Sequence, residues 1–261
     1  AVTSPVALIT GGPGTGKSTM VDAIVKTLTD RDHSINLCAP TGRAAKRLAE
    51  NDYLRDMIGP TTIHMFLARR RGDSKTPVDV LIIDEASMID INLMLRVCDE
   101  LDDHSRLILI GDADQLPPID PGQVFKDLLE SDVLPKQYLT NNYRQASQSA
   151  ISYVAQQVIA GKMPNLDITS VESDFEFIDE KDEDRLQDRV LSLYRERLPE
   201  KHGFEPERDI QILAPMKQRG PLGTEPINQR IQAERWSGKK PIVSSKNKSP
   251  LFPGDKVLQT K

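Results

Sequence analysis

Residues 6–18 of the chain read Val6-Ala7-Leu8-Ile9-Thr10-Gly11-Gly12-Pro13-Gly14-Thr15-Gly16-Lys17-Ser18, an apolar run followed at once by a glycine-rich loop. The glycines carry no side chains, so the backbone N–H groups of the loop can turn inward and surround the oxygens of a phosphate chain. Apolar residues then recur at helical spacing from Met20 to Leu28. This order of strand, loop and helix predicts a phosphate cradle rather than an ordinary glycine turn.

The two residues that close the loop add charge and a metal ligand. The Lys17 ammonium can reach the β- and γ-phosphates, and the Ser18 hydroxyl can ligate Mg²⁺. The positive end of the following helix also attracts an anion. We therefore expect Gly11–Ser18 to bind a nucleoside triphosphate, with Lys17 acting in catalysis as well.

The first half of the chain alternates apolar runs with helical or loop-rich stretches. The runs are Val6–Ile9, Ile35–Ala39, Val80–Ile83 and Leu107–Ile110, with a shorter candidate strand at Tyr138-Leu139. Such alternation is typical of an α/β fold, in which helices cover both faces of a parallel sheet.

The second half has a different organisation, and we place a domain boundary near Gln145. Strand-like runs occur at Phe175–Ile178 and Ile210–Leu213, and helical spacing lies between them. After Pro215 the sequence becomes rich in glycine, proline, lysine and serine, with a late strand candidate at Lys256–Gln259.

Two adjacent carboxylates, Asp84 and Glu85, follow the apolar run Val80–Ile83. At the carboxyl edge of a parallel sheet they are the partners that a phosphate loop needs for hydrolysis. Successive residues face different directions, so Asp84 would hold Mg²⁺, directly or through its water, while Glu85 would orient and deprotonate the attacking water. The alternative is that the pair simply starts a helix.

Two further polar residues are candidates for the same site. Gln115 follows the run Leu107–Ile110, and its neutral amide could touch the γ-phosphate and sense whether that phosphate is present. Arg144 could reach the γ-phosphate from the domain boundary as an arginine finger, or it could form a surface ion pair.

Charge is unevenly distributed along a chain of 261 residues whose net charge is −5. Glu172–Asp188 is acidic, whereas Arg235–Lys261 is basic and suits a phosphate backbone as well as a solvated face. There is no run of 18 apolar residues and no signal-peptide pattern, so we expect a cytoplasmic protein without membrane contact.

Several segments together resemble the ordered motifs of superfamily 1 helicases, most closely the RecD-like branch. They are Gly11–Thr19, Ala39–Ala45, Thr62–His64, Asp84–Ser87, Gly111–Pro117 and Asn142–Gln145. The resemblance extends the nucleotide site to Thr19 and implies a P-loop NTPase fold of the RecA type. Looser similarity at Leu213–Met216 and Pro253–Val257 implies a second motor domain and an inserted barrel.

The resemblance implies a division into three parts. Residues 1–145 would form the first RecA-like motor domain with the ATP site. Residues 146–218 would form part of the second RecA-like domain, and residues 219–261 a basic linker with the start of an inserted β-barrel module. RecD-like motors carry further segments on both sides of these parts, so we expect a truncated chain.

The resemblance also implies a surface for single-stranded DNA formed by Pro40, Thr41, Arg43, Thr62 and His64. Hydroxyl, backbone N–H and guanidinium groups bind phosphates without reading sequence, and His64 could stack on a base. Taken without the resemblance, Thr41 is equally suited to cap a helix and His64 to lie on the surface.

The function implied is movement along single-stranded DNA driven by ATP hydrolysis, with ATP and Mg²⁺ as cofactors. Movement 5′ to 3′, unwinding at duplex junctions in recombination or repair, and helicase–nuclease partner subunits are further implications. Two alternatives remain open: a nucleotide-gated DNA-binding module without motor activity, and a small-molecule kinase.

Overall fold

The computed structural model describes residues 4–31, 33–70, 77–140, 149–166, 173–245 and 248–255. The chain divides into two compact units, Ala1–Glu176 and Phe177–Lys261. This division lies beyond the boundary expected near Gln145, so the helix that includes Ile151 belongs to the first unit.

The first unit is built on a six-stranded sheet. Its strands are β1 (Val6–Gly11), β2 (Ile35–Ala39), β3 (Thr61–Thr62), β4 (Val80–Ile83), β5 (Arg106–Gly111) and β6 (Lys136–Leu139). Their order is β3-β2-β4-β5-β1-β6, and every neighbouring pair is parallel. The predicted α/β class is confirmed, as are the five predicted strands; the short edge strand β3 was not predicted.

Helices cover both faces of this sheet. They are α1 (Lys17–Thr29), α2 (Gly42–Leu48), α3 (Asp52–Met57), α4 (Ile63–Arg69), α5 (Ile91–Cys98) and α6 (Val124–Glu130). A further helix of this unit, α7 (Ala150–Ile159), contributes no buried residue. Buried residues of α1, α2 and α3 pack in one apolar cluster, and those of α4, α5 and α6 pack in the other.

Strand β4 shows how the sheet separates these two clusters. Leu81 and Ile83 belong to one cluster, whereas Val80 and Ile82 belong to the other, because successive side chains point to opposite faces. All four side chains are fully buried. A strand covered on both faces is a continuous apolar run, which is why this one could be recognised in the sequence.

The parallel arrangement decides where the functional segments meet. Each strand of a parallel sheet runs in the same direction, and the chain must return before the next strand begins. The loops that follow β1, β2, β4 and β5 therefore lie along one edge, the carboxyl edge of the sheet, where α/β proteins bind ligands.

The second unit is mainly helical. It contains α8 (Glu183–Ser192), a π-helical stretch (Leu193–Arg197), α9 (Leu198–His202), α10 (Pro206–Asp209), α11 (Thr224–Arg235), and the antiparallel strands β7 (Val243–Ser245) and β8 (Lys248–Leu251). The guanidinium of Arg230 on α11 joins two helices, since it donates to Gln187 Oε1 at 2.6 Å and pairs with Asp188 at 2.6 Å.

The strands predicted at Phe175–Ile178 and Ile210–Leu213 are wrong. An apolar segment becomes a strand only when a neighbour accepts and donates its ladder hydrogen bonds. Among the described residues of this unit, β7 and β8 pair only with each other. The candidate strand Lys256–Gln259 lies outside the described residues. Within the described ranges, no helix combines the length and hydropathy needed to cross a membrane.

We expect Ile82→Ala to lower the free energy of unfolding by about 2–5 kcal/mol, because it leaves a cavity in a strand that is buried on both faces. Ile119→Ala removes the same atoms from a fully exposed side chain and serves as the matched control. Urea unfolding followed by circular dichroism measures both. Equal losses in the two variants would contradict the assignment of β4 to the core.

Candidate functional site

The loop between β1 and α1 has the backbone of a phosphate cradle. Gly14 (φ 80°) and Gly16 (φ 88°) lie in the left-handed region, which side chains disfavour. Gly11 is required for a different reason: a Cβ there would lie 2.6 Å from Thr15 Oγ1 and 2.8 Å from the Leu139 carbonyl oxygen. The predicted nucleotide-binding residues, Gly11 to Thr19, lie at the end of β1, in this loop and in the first turn of α1.

The first turn of α1 presents a positive charge and uncapped N–H groups. Lys17 Nζ donates to the Gly11 carbonyl and, at 3.0 Å, to the Gly12 carbonyl, so the ammonium lies over the loop. The helix has neither a side-chain cap nor an acidic residue in its first turn. Ser18 and Thr19 are exposed there. Free N–H groups at a helix N-terminus favour an anion such as a phosphate.

Asp84 continues β4 into the carboxyl edge, where its N–H donates to the Cys38 carbonyl at 2.9 Å. Burial raises the pKa of Asp84, and the neighbouring charge of Glu85 raises it further. The positive charges of Lys17 and Arg47 act in the opposite direction. Asp84 is therefore a partly desolvated carboxylate among cations, a setting in which a bound metal ion would favour its ionised form.

The donors at this edge fit Mg²⁺ bound together with a nucleotide. Mg²⁺ prefers oxygen ligands, and it is usually held by one or two protein groups plus phosphate oxygens and water. The Ser18 hydroxyl, in the first turn of α1, and the Asp84 carboxylate, directly after β4, are such groups.

Glu85 adopts an unusual backbone conformation, with φ 54° and ψ 39°. Among the described residues it shares a positive φ with one other non-glycine residue, Asp132. The conformation turns the chain out of β4 and into a 3₁₀ turn, Ala86–Met88. Its carboxylate accepts a hydrogen bond from Gln115 Nε2 at 3.3 Å. Left-handed backbone in a non-glycine residue carries strain, and such strain is concentrated at functional sites.

Gln115 reaches this carboxylate from the loop that follows β5. The Ala113 N–H donates to Thr10 Oγ1 at 3.2 Å, and the Gln115 N–H donates to the Asp112 carbonyl at 3.3 Å. The first bond holds the loop against β1, and the second closes a turn within the loop. The Gln115 side chain also accepts a hydrogen bond from the Ser87 hydroxyl, at 3.1 Å.

The residues expected to contact DNA lie at the ends of two neighbouring strands. Because Ala39 of β2 pairs with Thr62 of β3, the two strands end side by side. Thr41 Oγ1 accepts from the Ala44 N–H at 3.2 Å and caps α2. Thr62 Oγ1 accepts from the Met65 N–H at 3.2 Å and caps α4. Both threonines thus cap helices, and each hydroxyl can still donate.

The other three residues of this group complete a surface. Pro40 is half-buried between β2 and α2, whereas Arg43 and His64 are exposed on the first turns of α2 and α4. A guanidinium, an imidazole and two capped helix N-termini therefore lie at adjacent strand ends, where they can meet a phosphate backbone.

Arg144 lies outside the described residues. Two residues near the carboxylates received no role from the sequence: Ser87, which contacts Gln115, and Arg47, whose charge acts on Asp84. Ser87 falls inside the segment Asp84–Ser87 that carries the family resemblance, so the sequence could have indicated it as a site residue. The sequence offered no such indication for Arg47, because only the packing of α2 brings it near Asp84.

Known proteins resemble this chain in sequence over most of its length. A family model described as an AAA domain matches residues 1–180. The ATP-dependent RecD2 DNA helicase of Deinococcus radiodurans is 33% identical over 267 residues, which cover 97% of this chain and 33% of that protein. The RecBCD enzyme subunit RecD of Mycobacterium tuberculosis is 30% identical over 213 residues, which cover 70% of this chain and 37% of the subunit.

Among solved structures, the Pif1 helicase from Candida albicans superposes with a TM-score of 0.47 and 23% identity, over 61% of this chain and 42% of that one. The chain spans about a third of the length of the two sequence relatives. On the family model and these relatives, the chain belongs to the AAA domain family, in the RecD-like branch of the superfamily 1 helicases.

Proposed function

We propose that this chain carries the ATP-hydrolysing site of a DNA helicase, which couples hydrolysis of ATP to movement along single-stranded DNA. One observation carries the proposal. The phosphate loop, the carboxylates of Asp84 and Glu85 and the amide of Gln115 share one edge of the sheet with the segments Pro40–Arg43 and Thr62–His64.

Each residue of the site has a separate role in this proposal. Lys17 binds the β- and γ-phosphates and stabilises the charge that develops during transfer. Ser18 and Asp84 hold Mg²⁺, which when bound neutralises phosphate charge. Glu85 orients the attacking water and accepts its proton.

Gln115 and Arg144 are proposed to respond to the γ-phosphate. The Gln115 amide touches both the Glu85 carboxylate and Ser87, so it is suited to sense a change at the nucleotide. Arg144 would supply a further positive charge to the transferring phosphate, as an arginine finger does.

The wider function is proposed from the relatives. Two of them are named a DNA helicase and a subunit of the RecBCD enzyme, which supports DNA unwinding and partner subunits for this chain too. Movement 5′ to 3′ and a role in recombination or repair rest on the RecD-like resemblance. So does the division into motor domain 1 (1–145), part of motor domain 2 (146–218) and a basic module (219–261).

The proposal is tested by DNA-stimulated ATP hydrolysis and by movement on single-stranded DNA. Lys17→Ala should abolish nucleotide binding, whereas Lys26→Ala, on the same helix, should not change it. Glu85→Gln should bind ATP normally but hydrolyse it about 10²–10⁴ times more slowly. Unchanged turnover in either site variant would contradict the mechanism.

The same assays distinguish the helicase proposal from the alternative of a nucleotide-gated DNA-binding module without motor activity. Such a module would bind DNA with an affinity that depends on ATP, but it would neither hydrolyse ATP with DNA stimulation nor move. Hydrolysis coupled to movement supports the helicase proposal. ATP-dependent DNA binding without turnover would replace it.

Asp84→Asn should raise the free energy of unfolding at pH 7 by about 0.5–2 kcal/mol in the absence of nucleotide and metal. Burial raises the pKa of Asp84, so its ionised form costs stability above that pKa, and this cost disappears as the pH falls toward the ordinary value of 3.8. The gain should therefore shrink between pH 7 and pH 4. Urea unfolding measures it, with the exposed Asp103→Asn as control.

Arg43→Ala should weaken binding of single-stranded DNA by about 3- to 10-fold and lower the salt dependence of the affinity by about one phosphate contact. Arg31→Ala is the matched control, because α1 begins at the carboxyl edge and Arg31 follows its far end. Fluorescence anisotropy over a salt series measures both. Equal losses of DNA affinity in the two variants would contradict the assignment of the DNA-binding surface to the N-terminus of α2.

A further inference from the structure

Three side chains form a short hydrogen-bonded row at the carboxyl edge of the sheet. The Ser87 hydroxyl lies 3.1 Å from Gln115 Oε1, and Gln115 Nε2 lies 3.3 Å from Glu85 Oε2. Glu85 and Ser87 belong to the segment that leaves β4, whereas Gln115 belongs to the loop after β5. The row therefore links two strands that are neighbours in the sheet but distant in sequence.

Chemistry fixes the direction of every hydrogen bond in this row. An ionised carboxylate only accepts, so the NH₂ group of Gln115 must face Glu85. The amide oxygen then faces Ser87, whose hydroxyl must donate. With the amide reversed, its oxygen would oppose the carboxylate and its NH₂ would face the hydroxyl. The Ser87 hydroxyl thus binds the amide oxygen of Gln115 and favours the orientation in which the amide NH₂ faces Glu85.

Gln115 has little else to hold it. Its side chain is exposed, and a free glutamine side chain has several rotatable bonds and considerable conformational entropy. In the part of the chain that the structure describes, its amide hydrogen-bonds to Ser87 and Glu85. Removing the hydroxyl leaves the amide tied at one end alone, free to rotate or turn into solvent.

The backbone is built to bring these side chains together. A Cβ on Gly111, the last residue of β5, would lie 3.0 Å from the Ser87 backbone nitrogen and 3.3 Å from that of Ala86. Glycine at this position therefore allows the 3₁₀ turn to approach β5 closely. The left-handed backbone of Glu85 begins that turn. Both features bring Ser87 near Gln115.

We propose that Ser87 is a positioning residue, which orients the Gln115 amide toward the Glu85 carboxylate. The inference rests on the proposed function, because it assigns Ser87 a part in the hydrolysis attributed to this site. Ser87 acts through Gln115: its hydroxyl keeps Nε2 directed at the carboxylate that receives the proton from water. Loss of the hydroxyl should reduce turnover without changing nucleotide affinity.

Steady-state ATP hydrolysis and nucleotide affinity test this role in three variants. Ser87→Ala should lower kcat roughly 10-fold, with the dissociation constant for ATP and the urea midpoint unchanged. Ser87→Thr, which keeps the hydroxyl, should restore most of the rate. Ser131→Ala removes an exposed hydroxyl bonded to the Leu128 carbonyl on α6 and should leave the rate unchanged.

A double-mutant cycle separates positioning from a merely structural effect. If Ser87 acts through Gln115, Ser87→Ala should cause no further loss of kcat in a Gln115→Ala background. Additive losses, or a full rate in Ser87→Ala, would overturn the proposal.

A second measurement is independent of catalysis. The side-chain amide of Gln115, labelled with ¹⁵N and assigned by its disappearance in Gln115→Ala, should be more ordered in the wild type and in Ser87→Thr than in Ser87→Ala. Equal order in all three would overturn the proposal whatever the rates. If the wild type hydrolyses no ATP, the proposed function fails, and this comparison still decides whether Ser87 holds Gln115.

Discussion

Parallel hydrogen bonding among β1, β5 and β4 is the constraint on which the site depends. Thr10 pairs with Gly111 across β1 and β5, and Ile83 pairs with Leu109 across β5 and β4. This register ends the three strands at one edge, so the phosphate loop, the Gln115 loop and the paired carboxylates emerge side by side. Antiparallel pairing or a shifted register would scatter them, since the side chains themselves make few direct contacts.

Several constraints of the first unit lie at this same edge. Burial disfavours the ionised form of Asp84, Glu85 has a left-handed backbone, and Gly11 and Gly111 stand where a Cβ would clash. The fully buried strands behind the edge offset these costs through the area they remove from water. A stable sheet thus tolerates a strained rim, the compromise expected where a protein binds charged ligands.

The two candidate ligand surfaces are joined by α2. Its N-terminus, with Thr41 and Arg43, belongs to the surface proposed for DNA, whereas Arg47, one turn further on, acts electrostatically on Asp84. The same helix therefore has its N-terminus at one surface and a basic side chain near a carboxylate of the other. This proximity is a physical basis for coupling, although coupling itself requires two states with different affinities.

The sequence by itself determined the central strands of the sheet, because strands covered on both faces are continuous apolar runs, whereas the two-residue edge strand β3 left no such run. It also predicted Lys17, Asp84, Glu85 and Gln115 as site residues, and the structure places Gln115 against Glu85 and Asp84 within reach of the charge of Lys17. The tertiary structure alone decided whether an apolar run finds a partner: Val80–Ile83 lies between two strands, whereas Ile210–Leu213 has none and is not a strand. It alone also decided the contact of Ser87 with Gln115 and the proximity of Arg47 to Asp84, since both depend on distances across the sheet rather than on neighbours in the chain.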